Sequence, residues 1–538
     1  MIKFDVGDDH LGIKEWEAAI RGKQTDSSFL NEKRRRIIHR ISPLLRANKS
    51  NEKEYDPLVV SLGPYHHNKG ELQLAEKFKP RALLEYVSGC DGKSIQDLYN
   101  KVLEMVDIAR SCYVEGSTDD YRDEKFSRMM LLDACFILTI ICSEIFQMQY
   151  MGNQSPDTED TETEGEIFQA SPDDIIEGLK KVEISRPSPD GIIEDTRIEA
   201  EISQPTLDGI IDHTRIDAEI SQPSLYDITE DPVVQLYHEH LGALGWANLF
   251  RDMFLLENQV PYEVLRVLIN FRSDVGNERE ETLNSFVDFI VHRQRTSKPE
   301  GRTLSTSISQ QEPSHLLEMY RTSFLSFDSN QEDLPKAKFR VEVPITNENL
   351  SAYYTHSCRS ATELKAKGIN FRPSTGKSLT DINFNSSGIY GQLEIPSRVI
   401  ATSAKAIFLN LIAYEMSPHT PNDFSVTSYI QCMKSLITHP DDVKVLRSNH
   451  ILLDKLNSDE ELAKMYMEIS IPRVNNAIFM KVQEGIQKHY NSKAKTSISQ
   501  MISRYLSSPW TAIGLLAATL LLVLTFLQTY FTISPRSS

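Results

Sequence analysis

With 538 residues, 40% of them hydrophobic and 25% charged, the chain has an ordinary globular composition and enough length for a large core. Its net charge of −18 is local: residues 157–231 carry 22 acidic and 5 basic side chains, a net of −17, so the remainder is close to neutral. That leaves the globular part without the basic face that nucleic acid requires, and its 6 cysteines, with no CxxC pair, exclude a disulfide scaffold and suit a reducing compartment.

In chain order, residues 1–30 form an N-terminal lead with acids where a secretory signal needs an apolar run. Residues 31–153 read as the first half of a globular domain. Ser94 and Asp97 make a capping box, and Ile95, Leu98, Val102, Met105 and Ala109 follow at helical spacing. Met129 to Cys142 is too short for a comfortable membrane span and holds Asp133, so a central buried helix is expected, with Cys135 and Cys142 as buried thiols. An acid there is expected to cap or to pair with a buried base. Residues 154–231 read as an acidic, partly disordered insertion. Two copies of an 18-residue unit begin at Glu183 and Glu201, and a third opens at Glu219. Each has too few apolar residues to pack a solenoid core.

Residues 232–474 read as the second half of the domain. "FLLENQVPYEVLRVLINF" predicts a helix to Asn258, a break enforced by Pro261, and a second helix. Phe339, Val341 and Val343 alternate like a strand, and "GQLEIP" is another short strand candidate. "VTSYIQCMKSLI" and "DDVKVLRSNHILLDKL" return to helical periodicity. Residues 475–508 are polar, basic and helix-prone. The expected fold is therefore mainly α (an α-rich α+β arrangement with a few short strands), followed by one C-terminal transmembrane helix.

That helix occupies 509–533 and leaves a tail at 534–538. Trp510 to Ile533 holds no charged side chain. At about 1.5 Å per residue it spans roughly 36 Å, enough for a hydrocarbon core of about 30 Å. Trp510 and Tyr530 mark its interfacial ends, Leu520 and Leu524 its apolar middle, and Gly514 with Ala518 a small-xxx-small pair. Lys488, Lys493, Lys495 and Arg504 precede it and only Arg536 follows, which predicts a single-pass anchor in plasma membrane or endomembrane with the bulk cytosolic. In that orientation the sequons at Asn48, Asn153, Asn349 and Asn385 carry no glycan.

No catalytic constellation stands out. The chain has no G-x-S-x-G elbow, H-E-x-x-H helix or G-x-G-x-x-G turn, and the "GKS" strings at Gly92 and Gly376 lack the earlier glycine of a phosphate loop. His66-His67 is the most tempting ligand pair, but sequence neighbours rarely point at one metal, so a turn or core role is expected. No catalytic residue, cofactor or metal is assigned.

Several strings in order resemble the plant family carrying domain of unknown function 247. They are "IIHRISPLLR" (Ile37 to Arg46), "YDPLVVSLGPYHHNKGELQLAEKFKPR" (Tyr55 to Arg81), "MLLDACFIL" (Met130 to Leu138), "FLLENQVPYEVL" (Phe254 to Leu265), "HLLEMYRTSF", "SATELKAKGINF", "LEIP" and "FLNLIAYE". The motif residues are Gly63, Pro64, His66, His67, Asp133, Glu257, Asn258 and Pro261; they read as architecture, with Gly63-Pro64 as a turn. The acidic insertion interrupts the usual compact spacing. The resemblance implies a helical domain on one membrane helix, with no established activity. Some grass relatives look like male determinants of self-incompatibility. The expected function is a non-enzymatic, membrane-anchored recognition or signalling module whose partners are the lipid bilayer and an unknown protein. The alternatives are a membrane-tethered enzyme and an adaptor recruiting partners through the acidic loop.

Overall fold

Prolines and polar caps cut the first part of the chain into short helices. Described here, in a computed structural model, are residues 36–90, 92–152, 232–272, 283, 287, 312–325, 359–376, 378–387, 389–418, 420–454, 458–475, 477–492 and 509–533. The chain divides into Met1–Met148 with Asp231–Ser538, and a second unit, Gln149–Glu230. The acidic repeats and the expected strand at Phe339 to Val343 lie outside the described residues.

Helix α1 (Pro43–Arg46) has proline in its first turn and Ser42 as N-cap; α2 (Gln73–Glu76) and α3 (Lys79–Ser88) follow a loop. Helix α4 (Ile95–Glu104) begins with the Ser94–Asp97 capping box, both reciprocal bonds being present. Its periodicity does not run on as expected: the chain breaks at Met105 and restarts as α5 (Val106–Ser111). The long α6 (Asp123–Gly152) is the centre of the core, with Met130, Ala134, Cys135, Phe136, Leu138, Ile140 and Ile141 all fully buried. Cys142 is only half-buried and accepts from Arg272 Nη1 at 3.4 Å.

Helix α7 (Pro232–Met253) is kinked at Gly242 and ends five residues short of the expected Asn258. The cause is local: the side chains of Asn258 and Gln259 bond the carbonyls of Asp252, Met253 and Leu255, ending the helix in a tight buried loop. Pro261 then opens α8 (Tyr262–Arg272), its carbonyl accepting from Val264. Helix α9 (Leu316–Leu325) is followed by α10 (Ala361–Ala366) and strands β1 (Ile369–Pro373), β2 (Asn383–Ser387) and β3 (Tyr390–Ile395). Strand β3 pairs parallel to β1 and antiparallel to β2, and turns Leu393 and Ile395 into the core beside Ile369 and Phe371. It contains the expected "GQLEI".

Strand β4 (Arg398–Ile400) leads into α11 (Ala404–Glu415), which is buried throughout from Ala406 to Glu415. Helices α12 (Ser425–Leu436) and α13 (Pro440–Ser448) follow. The expected helical run to Leu456 stops at Ser448, because His450 takes a left-handed φ of 57° and Leu452–Asp454 forms β5 parallel to β4. Helices α14 (Asp459–Glu468), α15 (Met480–Asn491) and α16 (Pro509–Ile533) complete the described chain. The fold is helix-rich with a few short strands and ends in an apolar helix.

Candidate functional site

Residues 251–262, although mostly outside a helix, are all buried. A buried loop must pair its backbone polar groups, and this one does so through its own polar side chains. Asn258 accepts from Leu62 N at 2.7 Å and donates to Val60 O at 3.0 Å, so it clamps the 58–67 loop from both sides. Asp252 extends the clamp by accepting from the amides of Leu58, Val59 and Val60 at 2.7 to 3.2 Å. Gln259 Oε1 accepts from Leu317 N, and Leu256 N donates to Asn410 Oδ1 at 2.8 Å, tying in α9 and α11.

The turn within the 58–67 loop requires glycine. Gly63 has a φ of +75°, and a Cβ there would stand 2.6 Å from Gln259 O and 2.8 Å from the Tyr113 hydroxyl. Gly63 N donates to Asp133 Oδ2 at 2.8 Å, and Pro64 O accepts from the Tyr121 hydroxyl at 3.3 Å. The base that Asp133 meets is Lys79, whose Nζ lies 2.6 Å from Asp133 Oδ1 and 2.6 Å from Ser61 O, and which also reaches Glu76. Both members of the pair are buried, and burial pushes the Asp133 carboxyl up to about 6 despite the ammonium beside it.

His66 and His67 diverge. His67 stacks edge-on against Tyr121, with ring centroids 5.8 Å apart. His66 turns the other way, into a cluster with Asp56 and Glu257. Its Nε2 lies 3.6 Å from Glu257 Oε2, and its Nδ1 lies 3.9 Å from Asp56 Oδ1. Burial and then the neighbouring Lys69 hold its imidazole down to about 4, a neutral ring at neutral pH. Arg46 bridges the same carboxylates, with Nη2 2.8 Å from Glu257 and Nη1 3.2 Å from Asp56. The other Glu257 oxygen accepts from Ile41 N at 2.6 Å. Chemically, the cluster offers two carboxylates and a neutral imidazole, a set able to hold a cation.

The structure thus gathers Gly63, Pro64, His66, Asp133, Glu257 and Asn258 around two facing loops, with His67 and Pro261 at their flanks. Trp510, Gly514, Leu520, Leu524 and Tyr530 all lie in α16, where Leu520, Leu524 and Tyr530 are exposed and Gly514 has open space around it. Sequence reasoning missed Arg46, Asp56, Lys79, Asp252, Gln259 and Asn410. A readable signal existed for one of them: Glu257-Asn258-Gln259 is a polar run inside an apolar stretch. The others are partners brought in by the fold.

A second buried network joins three further strings. Arg321 of α9 pairs with Glu415 of α11 at 2.7 Å and with Asp423, while Glu415 accepts from the amides of Val426 and Thr427 at the start of α12. Glu415 therefore supplies the N-terminal capping that Phe424, left-handed at a φ of 54°, does not.

No solved structure matches the chain. Among curated proteins it is similar to UPF0481 protein At3g47200 of Arabidopsis thaliana, 22% identical over 496 residues, covering 89% of this chain and 82% of that one. It is also similar to UPF0481 protein At3g02645 of the same plant, 28% identical over 173 residues and 32% of each chain. The profile of DUF247, described as a plant protein of unknown function, matches residues 38–524 and so takes in both loops, the Arg321–Glu415 network and the first part of α16. The chain belongs to this DUF247 family of plant proteins.

Proposed function

We propose that the chain is a membrane-anchored, non-enzymatic recognition or signalling module, held by α16 with its bulk in the cytosol. The observation that carries this reading is the use made of the motif residues: Gly63, Asp133, Asn258 and Pro261 bond backbone groups or complete turns, which is the work of a scaffold. Helix α16 supports the anchor, because no residue of Leu516–Ile533 is buried and exposed leucines at that density are unfavourable in water. A role in self-incompatibility is the finer form of the reading, and an adaptor acting through the acidic loop is its variant. A membrane-tethered enzyme is the second reading, favoured by the Asp56–His66–Glu257 cluster.

Peroxidase-tagged full-length chain, expressed in pollen and in vegetative tissue, tests the proposal. The expected result is carbonate-resistant membrane association, digestion of the bulk by protease added to sealed microsomes, and a reproducible set of labelled neighbours that is lost when 509–538 are removed. Glycan on Asn48 or Asn385 would reverse the orientation. Turnover of a labelled metabolite by the purified chain would favour the enzyme.

A further inference from the structure

Asp56, His66 and Glu257 each present a ligand atom, all within 4.8 Å of one another. His66 is 2% exposed, and neither of its ring nitrogens has a hydrogen-bond partner. Burying an imidazole in that state is costly. The carboxylate oxygens facing it stand at 3.6 Å and 3.9 Å, beyond hydrogen-bond reach. The two distances run from different ring nitrogens, of which one ion takes only one. With a single ligand atom from each residue the three donors stay within 4.8 Å of one another, so small side-chain rotations bring them to the spacing of a shared ion. Donors bound at roughly 2.1 Å to a tetrahedral cation stand about 3.4 Å apart.

We propose that Asp56, His66 and Glu257 form a binding site for a divalent transition-metal cation of the zinc class, and that Arg46 holds the carboxylates in the metal's place. The donor set, one imidazole and two carboxylates, matches such ions better than Ca2+ or Mg2+, which take oxygen ligands alone. Arg46 is the competitor because its guanidinium bonds both carboxylates. Its side chain is 25% exposed, so it can swing into water without disturbing the core. Glu257 is already aimed by Ile41 N, and Asp56, at 38% exposure, opens the site to solvent for entry and for a bound water. Lys69 Nζ, 3.6 Å from Asp56, adds a second positive charge that weakens the site and keeps it exchangeable. The site requires no particular reading of the chain's function, since a metal there can brace the two loops or serve chemistry.

The test is Co2+ titration of the chelator-stripped full-length chain in detergent, followed by its visible d–d absorption and by displacement with Zn2+. The expected result is saturable uptake of one equivalent that is lost in His66→Asn and retained in His67→Asn. Arg46→Met tightens binding by about tenfold or more, because it removes a competing positive charge within a few ångströms of the ion. Glu257→Gln leaves one acceptor oxygen for both Ile41 N and Arg46 and so disturbs the loop itself; Asp56→Asn, on a part-exposed side chain, therefore serves as the second ligand variant and lowers affinity with its melting temperature kept. Absence of saturable d–d absorption in the wild type, uptake unchanged by His66→Asn, or no tightening in Arg46→Met overturns the proposal.

Discussion

Among the described residues two helices are long and apolar enough to cross a membrane, and they have opposite fates. In α6 an 18-residue window within Asp123–Ser143 is 83% buried, whereas none of Leu516–Ile533 in α16 is. The difference lies in how each satisfies its polar atoms. In α6 two of them reach other elements: Asp133 bonds Lys79 and Gly63, and Thr139 Oγ1 donates to Ala82 O of α3 at 3.1 Å. In α16 the hydroxyls of Thr519, Thr525, Thr529 and Thr532 donate to carbonyls of their own helix, at 2.6 to 2.9 Å. A helix that closes its hydrogen bonds internally suits a medium that offers none. Apolarity alone does not separate a core helix from a spanning one; the partners of the few polar groups do.

The largest effect should come from deleting 509–538. On the anchoring proposal, the truncated chain moves from the carbonate-washed membrane to the soluble fraction, and its thermal midpoint stays where it was, because no residue of Leu516–Ile533 is buried. Persistent membrane association after the deletion would transfer suspicion to α6 and collapse the contrast between the two helices.

The next effect falls on α6 itself. Lys79→Met leaves the Asp133 carboxylate buried without its base and should cost about 3–5 kcal/mol in denaturant unfolding. Lys79→Met combined with Asp133→Leu removes both charges and should recover most of that loss. Recovery stays incomplete because Gly63 N and Ser61 O lose their partners. A double variant no better than Lys79→Met would mean that these backbone bonds, and not the charge pairing, hold α6 against the loops.

Much of this architecture was legible and some was not, for definite reasons. The α6 core helix, the α4 capping box, the "GQLEI" strand and the apolar terminal helix are local signals, each readable from a dozen residues. The end of α7 was misplaced because Asn258 and Gln259 carry helix periodicity but bond backward to carbonyls, which a periodic pattern does not register. Leu452 and Leu453 look helical until Arg398 and Val399 are seen beside them; a two-stranded parallel pair is a long-range fact. The motif residues were found, but their meaning was not, since His66 acquires Asp56 and Glu257 only when the loops close.

The smallest effect concerns pH, and it separates the two regions cleanly. His315 is fully buried at the start of α9, its Nδ1 accepting from Glu318 N at 3.3 Å and its ring edge-on to Tyr414. Burial holds its imidazole down to about 4, against an ordinary 6.5. Above pH 6.5 both folded and unfolded chains keep it neutral, and its contribution to stability is complete. As pH falls from 6.5 toward 4 the unfolded chain takes up a proton that the folded chain refuses, so stability declines across that window. Between pH 7 and pH 5 the loss from this ring is about 2 kcal/mol. His315→Asn keeps an acceptor suited to the N-cap and removes the titration, so its unfolding free energy should change less with pH by that amount, whatever its absolute stability. Helix α16 has no group that titrates there, so membrane partition should be flat over the same range. Unfolding measured at both pH values in wild type and variant decides it. Equal slopes in the two proteins would mean that His315 is not held neutral by the fold.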